Sequence, residues 1–341
     1  MSAQHLDLER LTPYLVEHIP GMGNDLSAEK FAGGQSNPTF KLSSQGRHYV
    51  LRRKPPGELL KSAHAVDREY RVINALQQTD VPVPKTYLLC EDEDVIGSMF
   101  YVMEFLEGRV FWDPALPEID DKAERAAMYD DMNRVLAALH SVNVDSIGLS
   151  DYGRPGNYFE RQVSRWTKQY RASETEHSSN MERLIEWLQA NMPEDDGTVS
   201  LVHGDYRLDN VMYHPTEPRI IAVLDWELST LGHPLADLSY QVMAWQLPSQ
   251  PGGIAGLMGV DRDALGLPSD DDYVQRYCER TARNGIENWN FYLVFCFFRL
   301  AAILQGVKKR ALQGNASSPE AEARGAMVEP LAEFGVSFIH P

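Results

Sequence analysis

Apolar residues recur every three or four positions at the start of the chain (Leu8, Leu11, Leu15, Ile19), predicting an amphipathic helix over 5–19, with Thr12-Pro13 as a cap or break near its start. The period then changes to two. Lys30-Phe31 leads into Gly33-Gly34-Gln35-Ser36-Asn37, after which Thr39–Leu42 and His48–Arg52 alternate as strands around a Ser44-Gln45-Gly46 turn. Helical spacing returns over 63–76 (Val66, Tyr70, Ile73, Leu76), and Val81-Pro82-Val83-Pro84 forces an extended chain. Met99–Phe105 reads as a buried strand, and Leu106-Glu107-Gly108 breaks the pattern, predicting a small αβ lobe over 1–105 and a larger, mostly helical one over 106–341. The second lobe opens with a helix over about 121–140, with further helices expected near 158–172, 180–191, 234–246, 272–284 and 289–312. The Pro- and Gly-rich stretch 248–270 reads as a loop or lid.

Composition narrows the class. The chain has 341 residues, 43% apolar and 24% charged, which gives ample material for a packed core and excludes general disorder. A net charge of −17 argues against binding to duplex nucleic acid or an anionic membrane, both of which need a basic face. The acidity fits a cationic substrate but serves solubility equally well. Cys90, Cys278 and Cys296 are far apart and odd in number, which excludes a disulfide framework or a paired-cysteine metal knuckle and fits a reducing compartment. No signal peptide is visible at the start, and the longest apolar stretch, Phe291–Leu304, is interrupted by Arg299 and is too short to span a bilayer. A cytoplasmic protein with a buried core helix is expected; the oligomeric state is left open.

The candidate chemistry sits in residues 201–227, LVHGDYRLDNVMYHPTEPRIIAVLDWE. The segment reads as strand, polar loop, short strand, turn at 214–218, and strand. Such a hairpin brings Asn210 beside Asp225 at its open end, with Asp205 five residues earlier on the loop. Two carboxylates and an amide form an all-oxygen set suited to Mg²⁺ and a phosphate-bearing substrate.

With these residues in place, His203-x-Asp205-x-x-x-x-Asn210 followed by Asp225 resembles the catalytic core of the aminoglycoside phosphotransferase and choline kinase family. The resemblance runs over about the whole chain and implies an α+β, bilobal protein-kinase-like fold. It implies ATP and Mg²⁺ as cofactors and a small-molecule hydroxyl as phosphate acceptor. Asp205 would take or orient the acceptor proton, Asn210 and Asp225 would hold the metal, and His203 would brace the loop. Gly33, Gly34, Ser36 and Asn37 fall in the nucleotide-covering loop, and Arg52 falls at the phosphate-contacting basic position with Glu69 as its acidic partner. Glu104 and Leu106 frame the hinge expected to hydrogen-bond adenine through its backbone. Asp237 resembles a residue that ties the catalytic loop from behind, and Glu227 adds a further carboxylate near the metal. Two departures stand out: the loop has adjacent rather than spaced glycines, and the basic residue is Arg rather than Lys, with Arg53 and Lys54 as alternatives in register.

Other chemistries lack their signatures. His203, His214 and His233 lack zinc-ligand spacing, and no G-x-S-x-G elbow or P-loop is present. Of Trp112, Trp226 and Trp245, only Trp226 leans towards the site, because it follows Asp225. The phrases YVLRRKPPG, HGDYRLDNVMYH and VLDWELSTLGHPLADLSY resemble most closely the kinase-like domains associated with acyl-CoA dehydrogenases. That resemblance implies a hydroxyacyl-CoA or related hydroxy acid as acceptor. The run Lys308-Lys309-Arg310 either meets an anionic CoA or is a helix C-terminal charge cluster. The alternatives are an aminoglycoside or choline-type kinase, or a catalytically silent nucleotide-binding module.

Overall fold

The computed structural model describes residues 6–31, 37–55, 65–249, 255–314 and 321–339. In chain order the first elements are α1 (Leu8–His18), β1 (Ser27–Lys30), β2 (Thr39–Ser44), β3 (Arg47–Arg53), α2 (Val66–Leu76), β4 (Thr86–Cys90) and β5 (Phe100–Glu104). Then come α3 (Lys122–His140), α4 (Tyr158–Ser173), α5 (Ser179–Ala190), β6 (Ser200–Val202), β7 (Val211–Tyr213), β8 (Ile220–Val223) and β9 (Thr230–Gly232). The remainder is helical: α6 (Leu235–Trp245), α7 (Arg262–Leu265), α8 (Asp270–Arg280), α9 (Trp289–Leu312), α10 (Ala321–Ala326) and α11 (Val328–Ser337).

The chain divides into two compact units, and the first is discontinuous: Met1–Val110, Asn143–Ser150 and Asn210–Ser229. It is built on a five-stranded antiparallel sheet in the order β1-β2-β3-β5-β4. Alternation explains its buried face. Phe40 and Leu42 of β2, Tyr49 and Leu51 of β3, and Phe100 and Val102 of β5 share one core with Leu11 and Leu15 of α1. The helix α1 is capped by Asp7, whose Oδ1 accepts from the Arg10 N–H at 3.2 Å, and Pro13 lies inside the helix rather than marking a break. The hairpin β7–β8 joins this unit because Arg109 and Tyr213 exchange backbone hydrogen bonds, both 2.8 Å, and Val223 N–H donates to Pro82 at 2.8 Å. That is why the first unit extends beyond 1–105 into residues from much later in the chain.

The second unit comprises Phe111–Val142, Asp151–Asp209 and Thr230–Pro341. Its centre is α9, against which α4, α6, α10 and α11 pack. By length and composition α9 could cross a membrane, yet 78% of its most apolar window is buried within the protein. Phe159 of α4 meets Phe291, Tyr292 and Phe295 of α9 with ring centroids 5.1–5.7 Å apart, edge-on to Phe291 and Phe295 as aromatic quadrupoles favour and tilted against Tyr292. The strand β6 pairs antiparallel with β9, and the loop carrying Asp205 leaves the end of β6. Strand β9 and helices α10 and α11 were not expected from the sequence, and neither was β4. The expected 248–270 loop contains the short α7 and a bridge between Pro248 and Met258.

Phe295 is fully buried at the centre of the aromatic cluster. Phe295→Ala is expected to lower the free energy of unfolding by about 3–5 kcal/mol, read as a lower urea midpoint at unchanged slope.

Candidate functional site

In the first unit the hairpin does what its sequence implied. Val211 faces Val223 in the ladder, and the Leu224 N–H donates to the Asn210 carbonyl at 2.8 Å, so Asn210 and Asp225 stand together at its open end. Asp225 has φ 60° and ψ 66°, a left-handed conformation that Asp tolerates better than most residues. The chain turns there directly out of β8 into a 3₁₀ turn at Trp226–Leu228.

Arg52, next to the end of β3, bridges the carboxylates of this unit. Its Nε lies 2.9 Å from Glu69 Oε2, its Nη2 donates to Asp225 Oδ1 at 2.8 Å, and Glu227 Oε2 is 3.9 Å away. Pleating directs the adjacent Arg53 elsewhere: it is buried with its guanidinium 5.8 Å from the Phe40 ring, while Lys54 N–H donates to Met99 O. Glu69 is 1% exposed and accepts from Asn37 Nδ2 at 2.7 Å and from the Tyr101 hydroxyl at 3.2 Å. Burial pushes the Glu69 carboxyl up to about 7, with Arg52 pulling it the other way and Asp225 and Glu227 adding to the rise. Burial disfavours the Arg52 charge, but its carboxylate neighbours outweigh that and hold it firmly protonated. Glu104 closes β5, where its N–H donates to Lys85 O at 2.7 Å and its Oε2 accepts from Lys85 N–H at 3.3 Å; Leu106 follows, partly buried. Gly33, Gly34 and Ser36 lie outside the described residues.

The second unit contains the other half of the motif. Asp237, 1% exposed near the start of α6, accepts from His203 N–H at 2.6 Å and Gly204 N–H at 2.8 Å. His140 Nε2 lies 3.2 Å from its Oδ2. Burial alone would raise the Asp237 carboxyl, but the hydrogen bond and charge of His140, with His203 and the Gly204 N–H, hold it below the ordinary carboxylate range. His203 is fully buried, and its Nδ1 accepts from the Asp205 N–H at 3.2 Å, so the imidazole braces the loop from inside. Gly204, at φ +85°, supplies the sharp turn between them. Asp205 is 23% exposed at its side chain, with Arg207 Nε 3.2 Å from Oδ1; Arg207 also reaches Asp209 Oδ2 at 2.9 Å. Tyr240 of α6 hydrogen-bonds Asp205, and burial together with that carboxylate pushes its phenol well up.

Three partners of this loop escaped sequence reasoning: His140, Tyr240 and Arg299. The last left a signal. Arg299 is the one charge within the apolar run Phe291–Leu304, and a buried charge requires a partner. Its Nη2 donates to the Gly204 carbonyl at 2.8 Å, and its guanidinium sits 5.5 Å from the Tyr240 ring and 5.9 Å from that of Trp166.

Other candidates take structural places. Trp226 is buried, with its indole N–H donated to Val223 O at 3.0 Å, so it packs beneath the turn rather than facing a ligand. Trp245 is buried and Trp112 is exposed. Lys308 pairs with Glu176, and Lys309 Nζ donates to Ala172 O at 2.7 Å, so the cationic run is anchored at the end of α9. His203, His214 and His233 serve separate partners, namely the Asp205 N–H, Glu217 at 3.7 Å and Asp196 at 3.5 Å, and form no shared metal site.

The model of the phosphotransferase enzyme family matches residues 27–271. A solved protein from Ralstonia eutropha JMP134, provisionally assigned as an aminoglycoside phosphotransferase, is 52% identical, with a TM-score of 0.90 and 98% of each chain covered. A thermostable mutant of the aminoglycoside phosphotransferase APH(4)-Ia, solved in a ternary complex with AMP-PNP and hygromycin B, shares the fold at 16% identity, with a TM-score of 0.61 and 96% and 98% of the two chains covered. Mouse acyl-CoA dehydrogenase family member 10 is 48% identical over 91% of this chain, and the rat family member 11 is 44% identical over 98%. The chain spans only 29% and 43% of the length of these two relatives. The match over most of the chain and the shared α+β kinase-like fold give the family: the chain belongs to the phosphotransferase enzyme family.

Proposed function

We propose that the protein transfers the γ-phosphate of ATP to a hydroxyl of a small molecule, with a hydroxyacyl-CoA or related hydroxy acid as the acceptor class. The observation that carries the reading is the Arg52 bridge. One guanidinium, held by a buried Glu69, reaches the Asp225 carboxylate beside Asn210. Mg²⁺ fits this donor set, because Asn210 and Asp225 offer hard oxygen ligands from one hairpin end, with Glu227 close by. When bound there, Mg²⁺ would neutralise charge on the phosphate oxygens.

The chain's own residues divide the remaining work. Arg52 offers planar, permanently charged N–H donors to the α- and β-phosphates, and Glu69 fixes its direction. Asp205 accepts the acceptor's hydroxyl proton as that oxygen forms its bond to the γ-phosphorus and the bridging O–P bond to ADP breaks. His203 and Asp237 hold the loop, so the Asp205 carboxylate is in position before substrate arrives, which is where such a site gains over water. Backbone groups around Glu104 and Leu106 serve the adenine. The acyl-CoA part of the reading is supported by the curated relatives, whose names join this domain to acyl-CoA dehydrogenases.

The test is ADP release from Mg·ATP across hydroxyacyl-CoAs, hydroxy acids, choline and aminoglycosides. Acceptor-dependent release with a hydroxyacyl-CoA is the expected result; release with an aminoglycoside alone would overturn the acceptor class. Asp205→Asn should lower kcat by about 10²–10⁴-fold while AMP-PNP affinity stays within about twofold, because the lost function is proton acceptance. Full turnover in that variant would remove Asp205 from the chemistry. Arg52→Ala should weaken nucleotide binding by about 10–100-fold, the scale of a charged hydrogen bond, with Arg52→Lys recovering part of it. Equal affinity in both variants and wild type would assign the phosphates to another residue.

A further inference from the structure

A basic strip lies along α4, away from the loop just described. Between Asp151 and Ser173 the chain carries five cations and two carboxylates, in a protein whose net charge is −17. Arg154, Arg161, Arg165 and Lys168 line one groove of about 620 Å³, with Glu160 as its one acidic wall residue. Arg161 shapes the floor: its guanidinium donates to the Arg154 carbonyl at 2.6 Å and the Pro155 carbonyl at 3.3 Å. Arg165 and Lys168 stand exposed along the rim, one turn apart.

The groove runs into a second cavity of about 530 Å³, with which it shares Asn157, Glu160, Ser164 and Lys168. Tyr158, Phe159 and Tyr292 form aromatic walls there, and the Tyr292 ring is stacked against His233 at 6.0 Å. Glu194, Asp195 and Asp196 line the side away from the groove, with Asp195 accepting from the Asn157 N–H at 2.8 Å and Asp196 3.5 Å from His233. The Thr167 hydroxyl lines this cavity, buried and with no hydrogen-bond partner among the described residues. The cations are confined to the groove, which suits phosphates, while the orphaned hydroxyl, aromatic walls and carboxylates of the cavity suit a planar, uncharged group that donates hydrogen bonds. The pair fits a ligand multiply phosphorylated at one end and planar at the other. The adjoining face of α4 leads to the catalytic loop: Trp166 lies against Arg299, which holds the Gly204 carbonyl next to Asp205.

We infer that the groove and cavity together bind the phosphorylated adenosine tail of a coenzyme A thioester, phosphates in the groove and adenine in the cavity, anchoring the acceptor by the end remote from its hydroxyl. The inference rests on the hydroxyacyl-CoA reading and adds its binding site. Cations that capture the 3′-phosphate and diphosphate make affinity depend on the tail, whereas chemistry depends on Asp205. The strip also answers a charge problem: a chain this acidic repels a polyanion unless cations are gathered where it docks.

The experiment measures CoA, dephospho-CoA and AMP-PNP binding by calorimetry to the wild-type chain, Arg165→Glu/Lys168→Glu and the milder Arg165→Gln/Lys168→Gln. Both positions are on the surface, and circular dichroism verifies folding. The expected result is CoA bound more tightly than dephospho-CoA, with CoA affinity lost about 10–100-fold in the charge-reversed protein and less in the glutamine variant. AMP-PNP affinity should stay within about twofold in both. Equal CoA affinity in all three proteins would overturn the inference, and so would a wild-type chain that does not bind CoA. Failure of the phosphotransfer reading looks different: CoA would bind through the groove while no hydroxyacyl thioester supports ADP release. Conversely, phosphorylation of pantetheine thioesters as efficiently as CoA thioesters would leave the kinase in place and remove the tail site.

Discussion

The Asp237 carboxylate is the constraint on which the loop carrying Asp205 depends. A loop leaving the end of a buried strand has backbone N–H groups that must be satisfied away from water, and two of them, those of His203 and Gly204, point at this one side chain. The negative charge makes both hydrogen bonds strong, and His140 supplies the further contact that makes burial of the charge tolerable. From the other side, Arg299 takes the Gly204 carbonyl. The peptide between His203 and Asp205 is thus held at both its donor and acceptor ends, and Asp205 has little freedom to move with its backbone. Rigidity of this kind is what the proposed phosphotransfer would require of Asp205, since the cost of fixing its carboxylate is then met on folding.

The first unit reaches a comparable result by other means. Arg52 on a strand, Glu69 on a helix and Asp225 after a hairpin strand are far apart in sequence, and a single guanidinium meets two of these carboxylates at once. Lysine at this position would offer one point charge on a flexible stem. Arginine offers a planar fork whose Nε and Nη2 serve different partners, so its geometry couples α2 to the Asp225 turn. Such a cluster is sensitive to loss of either acid, because a buried charge without its partner is more costly than the pair is favourable.

Several features of the chain could mislead if read from composition alone. The helix α9 has the length and apolarity of a membrane span, yet most of it is interior, with Arg299 bonded to the Gly204 carbonyl. Lys308 and Lys309 look like an anion-binding run and are instead engaged by Glu176 and the end of α4. Trp226 adjoins a candidate metal ligand in sequence and is a core residue in space. In each case the tertiary partner, absent from any local window, decides the role.

What could be read from the sequence was local. Period-two alternation in β2 and β3 and helical spacing in α2, α3 and α9 identify these elements, because burial of one face imposes its period on the residues. The spacing of Asn210, the turn at 214–218 and Asp225 was enough to bring the hairpin ends together, since an antiparallel ladder leaves no other arrangement. Residues such as Asp205 and Asp237 could be singled out by motif. The sequence did not reveal β4, β9, α10 and α11, which are short or weakly patterned. It also did not reveal that Arg52 rather than Arg53 faces the acids, that His140 and Tyr240 serve the loop, or that residues 210–229 join the first compact unit. These depend on strand register and on hydrogen bonds between distant segments, and only the packed chain supplies the partners that make one arrangement lower in free energy than its neighbours.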